Sequence, residues 1–238
     1  MTSALLKAQR LRLRYRVLAA ASSLKPRDLI RAWEEAAAAA GLPLAYSQAK
    51  RPTPQISIAM PLPLGVTSDC ELVDIFLADR LDPREVLARL SRVLPQGLEA
   101  TAAWEVGLTA PSIQSQLRWA EYEVDVPATD LDWSEVQQAI DRLLAAEAFP
   151  WEQRRETKVR RYDIRPLVLS LRLEGERNGC LLLSIRLRAE QEMAGRADQV
   201  VTALNLPAPR RIHRRRLYVE ETQPAVLAYR RLGQPDVQ

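Results

Sequence analysis

The apolar residues of this chain recur with two periods, and the change from one to the other orders its elements. Leu11, Leu13, Tyr15 and Val17 interleave with Arg10, Arg12, Arg14 and Arg16, the period of a half-buried strand with four arginines on one face. A helix follows, with Pro26 suited to its first position, Asp28 to its first turn and Gly41 to its end. Leu29, Trp33, Ala36, Ala37 and Ala40 make its apolar stripe. Pro43, Pro52 and Pro54 exclude helix next, so an extended loop should lead to a strand from Gln55 with Ile56, Ile58 and Met60 on one face. Pro61 and Pro63 cannot donate to a central ladder, which turns the chain out of the sheet or along its edge before a strand over residues 71–77. Asp82, Pro83 and Glu85 open a second helix that carries Val86, Leu87, Leu90, Val93 and Leu94 inward and ends at Gly97; residues 98–106 then alternate again.

That order, βαββαβ, is the ferredoxin-like arrangement. Residues 107–118 are polar without a sustained period, as expected of a domain boundary. The pattern then restarts with a strand over 119–126 and a helix capped by Asp132 and Glu135 that carries Val136, Ala139, Ile140, Leu143 and Leu144. After a basic segment come strands over 167–173 and 181–188, joined by a turn at Asn178 and Gly179. A short helix around Val200, Val201 and Leu204 and a last strand over 211–219 complete the second set. The expected fold is α+β, with two tandem ferredoxin-like domains at residues 8–108 and 119–221, a linker at 109–118 and a flexible tail at 222–238. A chain of 238 residues is long enough for each to bury its own core.

Composition narrows function mainly by exclusion. No run of 18 apolar residues spans a membrane, and the N-terminus lacks the apolar centre of a secretory signal, so the expected compartment is the cytoplasm. Cys70 and Cys180 stand far apart, which argues against a disulfide framework, a zinc site or an iron–sulfur cluster; neither metal nor other cofactor is expected. A glycine-rich phosphate loop, a dinucleotide fingerprint and a GxSxG elbow are all missing.

Charge adds a candidate surface. The net charge is only +4, yet arginine is concentrated in two runs: Arg154, Arg155, Lys158, Arg160, Arg161 and Arg165, then Arg210, Arg211, Arg214, Arg215 and Arg216. Guanidinium forks suit phosphate oxygens, which makes both runs candidate RNA contacts. The competing arrangement is internal, with Glu121, Glu123 and Asp125 facing Arg186 and Arg188 across strands, and Asp74, Glu99 and Glu105 matching Arg10 to Arg16. Trp33 and Trp104 read as core, leaving Tyr162, Trp151 and Tyr46 as stacking candidates. No catalytic set stands out; His213, the chain's one histidine, is the single candidate base. Alternation along the last strand puts Ile212, Arg214 and Arg216 on one face and His213, Arg215 and Leu217 on the other.

Residues 42–66, LPLAYSQAKRPTPQISIAMPLPLGV, hold five of the sixteen prolines. With this stretch, AQRLRLRYR, DLIRAWEEA, KVRRYDIRPLV and ALNLPAPRRIHRRRLYVE, the chain resembles the radical SAM-linked protein family over residues 8–221. That is a domain of unknown function fused to, or encoded beside, a radical SAM protein. The resemblance implies a radical SAM protein and an RNA, tRNA or rRNA, as partners. It carries over Asp28, Ser47, Gln48, Pro52, Pro54, Asp163, Arg165, Pro166, His213 and Arg214, whereas Pro26 and Thr53 stand where the family usually has histidines. Lys50 and Arg51 in the altered loop become the candidate anion contact there. The expected function is that of a non-catalytic accessory protein binding RNA, a separate radical SAM RNA-modifying partner, or both. The alternatives are an RNA-processing or RNA-modifying enzyme and a pure protein-interaction scaffold.

Overall fold

The computed structural model describes residues 7–129, 131–155 and 158–220, with the backbone alone for 153–155 and 158. The first half runs β1 (Gln9–Val17), α1 (Pro26–Ala39), β2 (Ile56–Ile58), β3 (Thr67–Leu77), α2 (Pro83–Leu90) and β4 (Leu98–Val106). A one-turn helix, α3 (Ile113–Gln116), leads into the second half. There the elements are β5 (Leu117–Pro127), α4 (Trp133–Ala145), β6 (Pro150–Arg155), β7 (Lys158–Asp163), β8 (Val168–Arg177), β9 (Cys180–Glu190), β10 (Met193–Ala194), α5 (Ala197–Ala203) and β11 (Arg211–Val219).

The protein is an α+β fold on a mixed sheet that has nine strands among the described residues, in the order β10-β9-β5-β11-β3-β1-β4, with β8 on β9 and β2 on β3. Both halves repeat one order, last strand, first, third, second: β4-β1-β3-β2 and β11-β5-β9-β8. They meet where β11, antiparallel to β5, runs parallel to β3 with His213 level with Thr67 and Arg214 level with Ser68. Among the described residues β6 and β7 pair only with each other, as a ribbon apart from the main sheet.

Alternation decides which side each core occupies. Leu11, Leu13, Tyr15 and Val17 bury against Leu29, Trp33, Val86 and Leu90 of α1 and α2. Ala120, Tyr122, Val124 and Val126 bury against Val136, Ile140 and Leu143 of α4 and Val200 and Val201 of α5. Side-chain caps start two of these helices: Asp82 accepts from the Arg84 N–H and Asp132 from the Ser134 N–H, each at 2.7 Å. The two helix layers lie on the same side of the sheet. Glu71, level with Tyr15, forms an ion pair with Arg214, level with Tyr122.

The opposite side differs between the halves. In the first, residues 107–116 cross over it and cover Arg10 and Arg12. Both guanidiniums grip Asp74, at 2.6 and 2.8 Å, and all three side chains are at most 3 % exposed. Arg10 also donates to the Ala110 and Pro111 carbonyls, and Arg12 to Gln116 Oε1. In the second half no segment among the described residues crosses this side.

Several expectations need correction. The stretch read as a linker, 109–118, is a packed strap: Ile113 and Gln116 are buried, and Gln114 donates to Ser57 Oγ and the Ile58 carbonyl. The third strand starts at Thr67 rather than 71, because pairing with Val17 and with β11 extends it. The second helix stops at Leu90, leaving Val93 at the surface. A bulge between Arg214 and Arg216 puts Arg216 opposite Glu121 and Leu217 opposite Ala120, so Arg216 leaves the face of Arg214 for the open one. Trp104 is half-buried beneath the Arg14 guanidinium. The tail expected at 222–238 lies outside the described residues.

Candidate functional site

At the seam, β3 and β11 supply two groups of polar side chains on opposite sides of the sheet. On the helix side Arg214 is fully buried; its Nη1 donates to both Glu71 oxygens at 2.8 and 2.9 Å and its Nε to Tyr122 Oη at 3.1 Å. Burial opposes the Arg214 charge, but Glu71, Tyr122 and Cys70 more than offset it, and its pKa is raised. The Tyr122 hydroxyl is pushed up by burial, as is the Cys70 thiol, to about 12, by burial and then by Glu71. A cavity of about 190 Å³ borders Arg214, Tyr122, Met60, Pro61 and Gly195. On the open side, His213 Nδ1 lies 2.8 Å from Thr67 Oγ1 and Nε2 lies 3.0 Å from Asp69 Oδ2.

Beyond His213 the open face of the second half carries rows of paired charges. Arg211 donates to Asp125 at 2.8 Å and to Glu123, and Arg215 donates to Glu123 as well. The hydrogen bond to Asp125 raises the Arg211 pKa. Arg186 lies 3.6 Å from Glu121 and Arg177 lies 3.7 Å from Asp125. Arg172 and Arg216 are exposed and have no ion-pair partner among the described residues. A cavity of about 270 Å³ opens between Glu121, Glu123, Glu174, Ser184, Arg215 and Arg216. Beside it the Trp119 and Tyr218 rings stack 5.0 Å apart at 4°, with the Arg186 guanidinium 4.6 Å from the indole.

The residues singled out by sequence are thus dispersed. Arg214 is buried, and its partners among the described residues are Glu71, Tyr122 and the Met60 carbonyl. Arg165 donates to the Leu144 and Val168 carbonyls, and Asp163 accepts from the Phe149 and Arg165 N–H groups; both therefore hold the backbone. Arg211, His213 and Arg215 are committed to acids, while Arg210 is exposed without an ion-pair partner among the described residues. Arg160 lies over the Tyr162 ring and Arg161 pairs with Glu152 on the ribbon, which is rooted in the helix layer by a hydrogen bond from Tyr162 Oη to Gln199 at 2.5 Å. The side chains of Arg154, Arg155 and Lys158 lie outside the described residues; their backbones place Arg155 level with Lys158 and Arg154 level with Val159. Ser47 and Thr53 close the neck of the 47–53 loop by mutual hydrogen bonds, leaving Gln48, Lys50 and Arg51 exposed. That loop adjoins the Phe76 end of β3, opposite the end that meets β11.

The stacked Trp119 and Tyr218 escaped the sequence reading. Their signal was the pairing of the second half's first and last strands, which puts the start of one beside the end of the other.

The molecule is therefore an α+β protein whose helix-free sheet face is strapped in the first half and charged and aromatic in the second. The chain belongs to an uncharacterized protein family conserved in bacteria, DUF2344, whose model matches residues 10–200. No curated protein matches it. Among solved structures it is similar to a chain of a Cbf5–Nop10–Gar1 complex, at 10 % identity and a TM-score of 0.49, covering 88 % of this chain and 50 % of that one. It is also similar to a chain of an H/ACA RNP bound to a substrate RNA containing 2′-deoxyuridine, at 13 % identity and a TM-score of 0.40, covering 85 % and 47 %. A third, from the archaeal box H/ACA sRNP Nop10–Cbf5 complex, gives 9 % identity and a TM-score of 0.42, covering 88 % and 49 %. This chain spans about half the length of each of these chains. No helix among the described residues is long and apolar enough to cross a membrane.

Proposed function

We propose that this protein is a cytoplasmic RNA-binding accessory factor of two ferredoxin-like halves, working beside a separate radical SAM RNA-modifying protein. The repeated strand order supports the two-half description. The observation that carries the RNA reading is the sheet face of the second half that no described segment covers, where Arg172 and Arg216, without ion-pair partners among the described residues, share the face with exposed aromatic surface. Open sheet faces of this composition bind RNA by combining phosphate contacts with base stacking. The basic ribbon adds the exposed Arg160 as a third phosphate contact. Radical chemistry falls to the partner, because Cys70 sits at the seam and Cys180 in the second core, too isolated to hold a cluster between them.

The test is fluorescence anisotropy with labelled RNA across a salt series. Binding at low salt that weakens with a log–log slope of about −2, as three phosphate contacts on single strands give, is expected. No binding at low salt, or binding indifferent to salt, overturns the reading.

One observation favours the enzyme alternative: Thr67, His213 and Asp69 form a hydroxyl–imidazole–carboxylate row. Such a row activates a hydroxyl for attack when a substrate reaches it, yet neither cavity described above is lined by His213. A metal-free RNA cleavage assay decides: activity lost in His213→Ala supports an enzyme, and no activity in the wild type leaves the binding role.

A further inference from the structure

We propose that Tyr218 and Trp119 form a stacking platform for an unpaired base of single-stranded RNA, with Arg216 beside them as the phosphate contact. This rests on the RNA reading above and narrows it to unpaired RNA. Tyr218 of β11 stands level with Trp119 of β5, and their rings are nearly parallel on the open face. Arg186 layers beneath, 4.6 Å from the indole, so guanidinium, indole and phenol form one stack.

A pair built only for packing would hide both rings. Tyr218 instead remains 46 % exposed although Trp119 covers one of its faces, so nearly half of it is open to a further contact. The indole fixes the phenol before any ligand arrives, so a base landing on it orders little further.

Arg216 precedes Tyr218 by two residues, and the bulge puts it on the open face level with Glu121. Two residues along a strand span about 7 Å, within the reach of one nucleotide. Next to Arg216 the cavity of about 270 Å³ presents Glu121, Glu123, Glu174 and Ser184. Carboxylates there repel a phosphate chain laid flat but accept hydrogen bonds from base amino groups. The arrangement therefore favours bases turned toward the sheet and phosphates outward at Arg216. A duplex keeps its base faces stacked internally and offers none to Tyr218.

The experiment compares a single-stranded RNA octamer with a blunt duplex of equal length, by anisotropy and by tryptophan emission. The wild type should prefer the octamer, and octamer binding should quench emission in a manner lost in Trp119→Phe. Tyr218→Ala should weaken octamer binding by about 5- to 150-fold, the range for one stacked base, with Tyr218→Phe within about twofold of wild type. RNA binding with equal affinity for both probes, no quenching and no effect of Tyr218→Ala overturns the platform but spares the RNA reading. Failure to bind either probe at low salt overturns both. If Tyr218→Ala does not fold, quenching in the wild type and its loss in Trp119→Phe decide the matter.

Discussion

The two halves share a strand order yet treat their arginines differently. In the first, Arg10 and Arg12 lie beneath the strap of residues 107–116, both on Asp74, with Arg10 also on two backbone carbonyls and Arg12 on Gln116, and only Arg14 and Arg16 of that strand stay exposed. In the second, Arg177, Arg186, Arg211 and Arg215 meet carboxylates on an uncovered face, while Arg172 and Arg216 meet none among the described residues. Covered arginines act as internal struts whose charge no partner reads, whereas uncovered ones remain available. Counting basic residues along the chain therefore overstates the interface, and the covering segment decides which of them count.

The largest expected effect breaks the covered side. Asp74→Ala would leave two buried guanidiniums without their shared carboxylate, and urea unfolding should report a loss of about 3–5 kcal/mol. A loss below about 1 kcal/mol would mean that water reaches that side. Next comes the seam, where Glu71→Gln keeps one acceptor for buried Arg214 but removes its counter-charge. A loss of about 3 kcal/mol is expected, and an unchanged midpoint would make the pair dispensable.

A subtler effect concerns Cys70. Its thiol pKa is raised from 9.0 to about 12 by burial and Glu71, so the folded state disfavours the thiolate. The associated stability is complete below pH 9 and declines as pH rises toward 12. A Cys70→Ala variant should lose less stability than wild type across that window, and folded Cys70 should resist thiol reagents at pH 8. Rapid labelling of the native protein would contradict this. The smallest effect is expected at the exposed helical pair Arg31–Glu35, where Arg31→Ala should leave the unfolding midpoint unchanged.

Local patterns in the sequence predicted elements well. The sequence pattern marked β4 and β11 with their observed ends and β1 to within one residue, and the stripe of Leu29, Trp33, Ala36 and Ala37 is the buried face of α1. What escaped was non-local or locally silent. The strap reads as polar linker because its task is to accept from Arg10 and Arg12, mainly through backbone carbonyls that any residue supplies. The bulge after Arg214 left no periodic trace, and it moved Arg216 to the other face. The β6–β7 ribbon lacks an apolar alternation because it joins no larger sheet. The seam depends on a pairing between Thr67 and His213, 146 residues apart, which no window along the chain can contain. The basic run at 210–216 was visible, but its division into one strut, several paired groups and two uncommitted cations needed that seam.

The central claim, that the open face of the second half reads RNA, is tested most directly by two double variants in one anisotropy salt series. Arg172→Gln with Arg216→Gln removes the uncommitted cations of the open face, and Lys50→Gln with Arg51→Gln removes those of the first-half loop. The first pair should weaken RNA binding and make the log–log salt slope shallower by about 1.4, as the loss of two single-strand phosphate contacts requires, while the second should leave affinity within about twofold. Equal losses from both, or a loss from the loop pair alone, would contradict the claim.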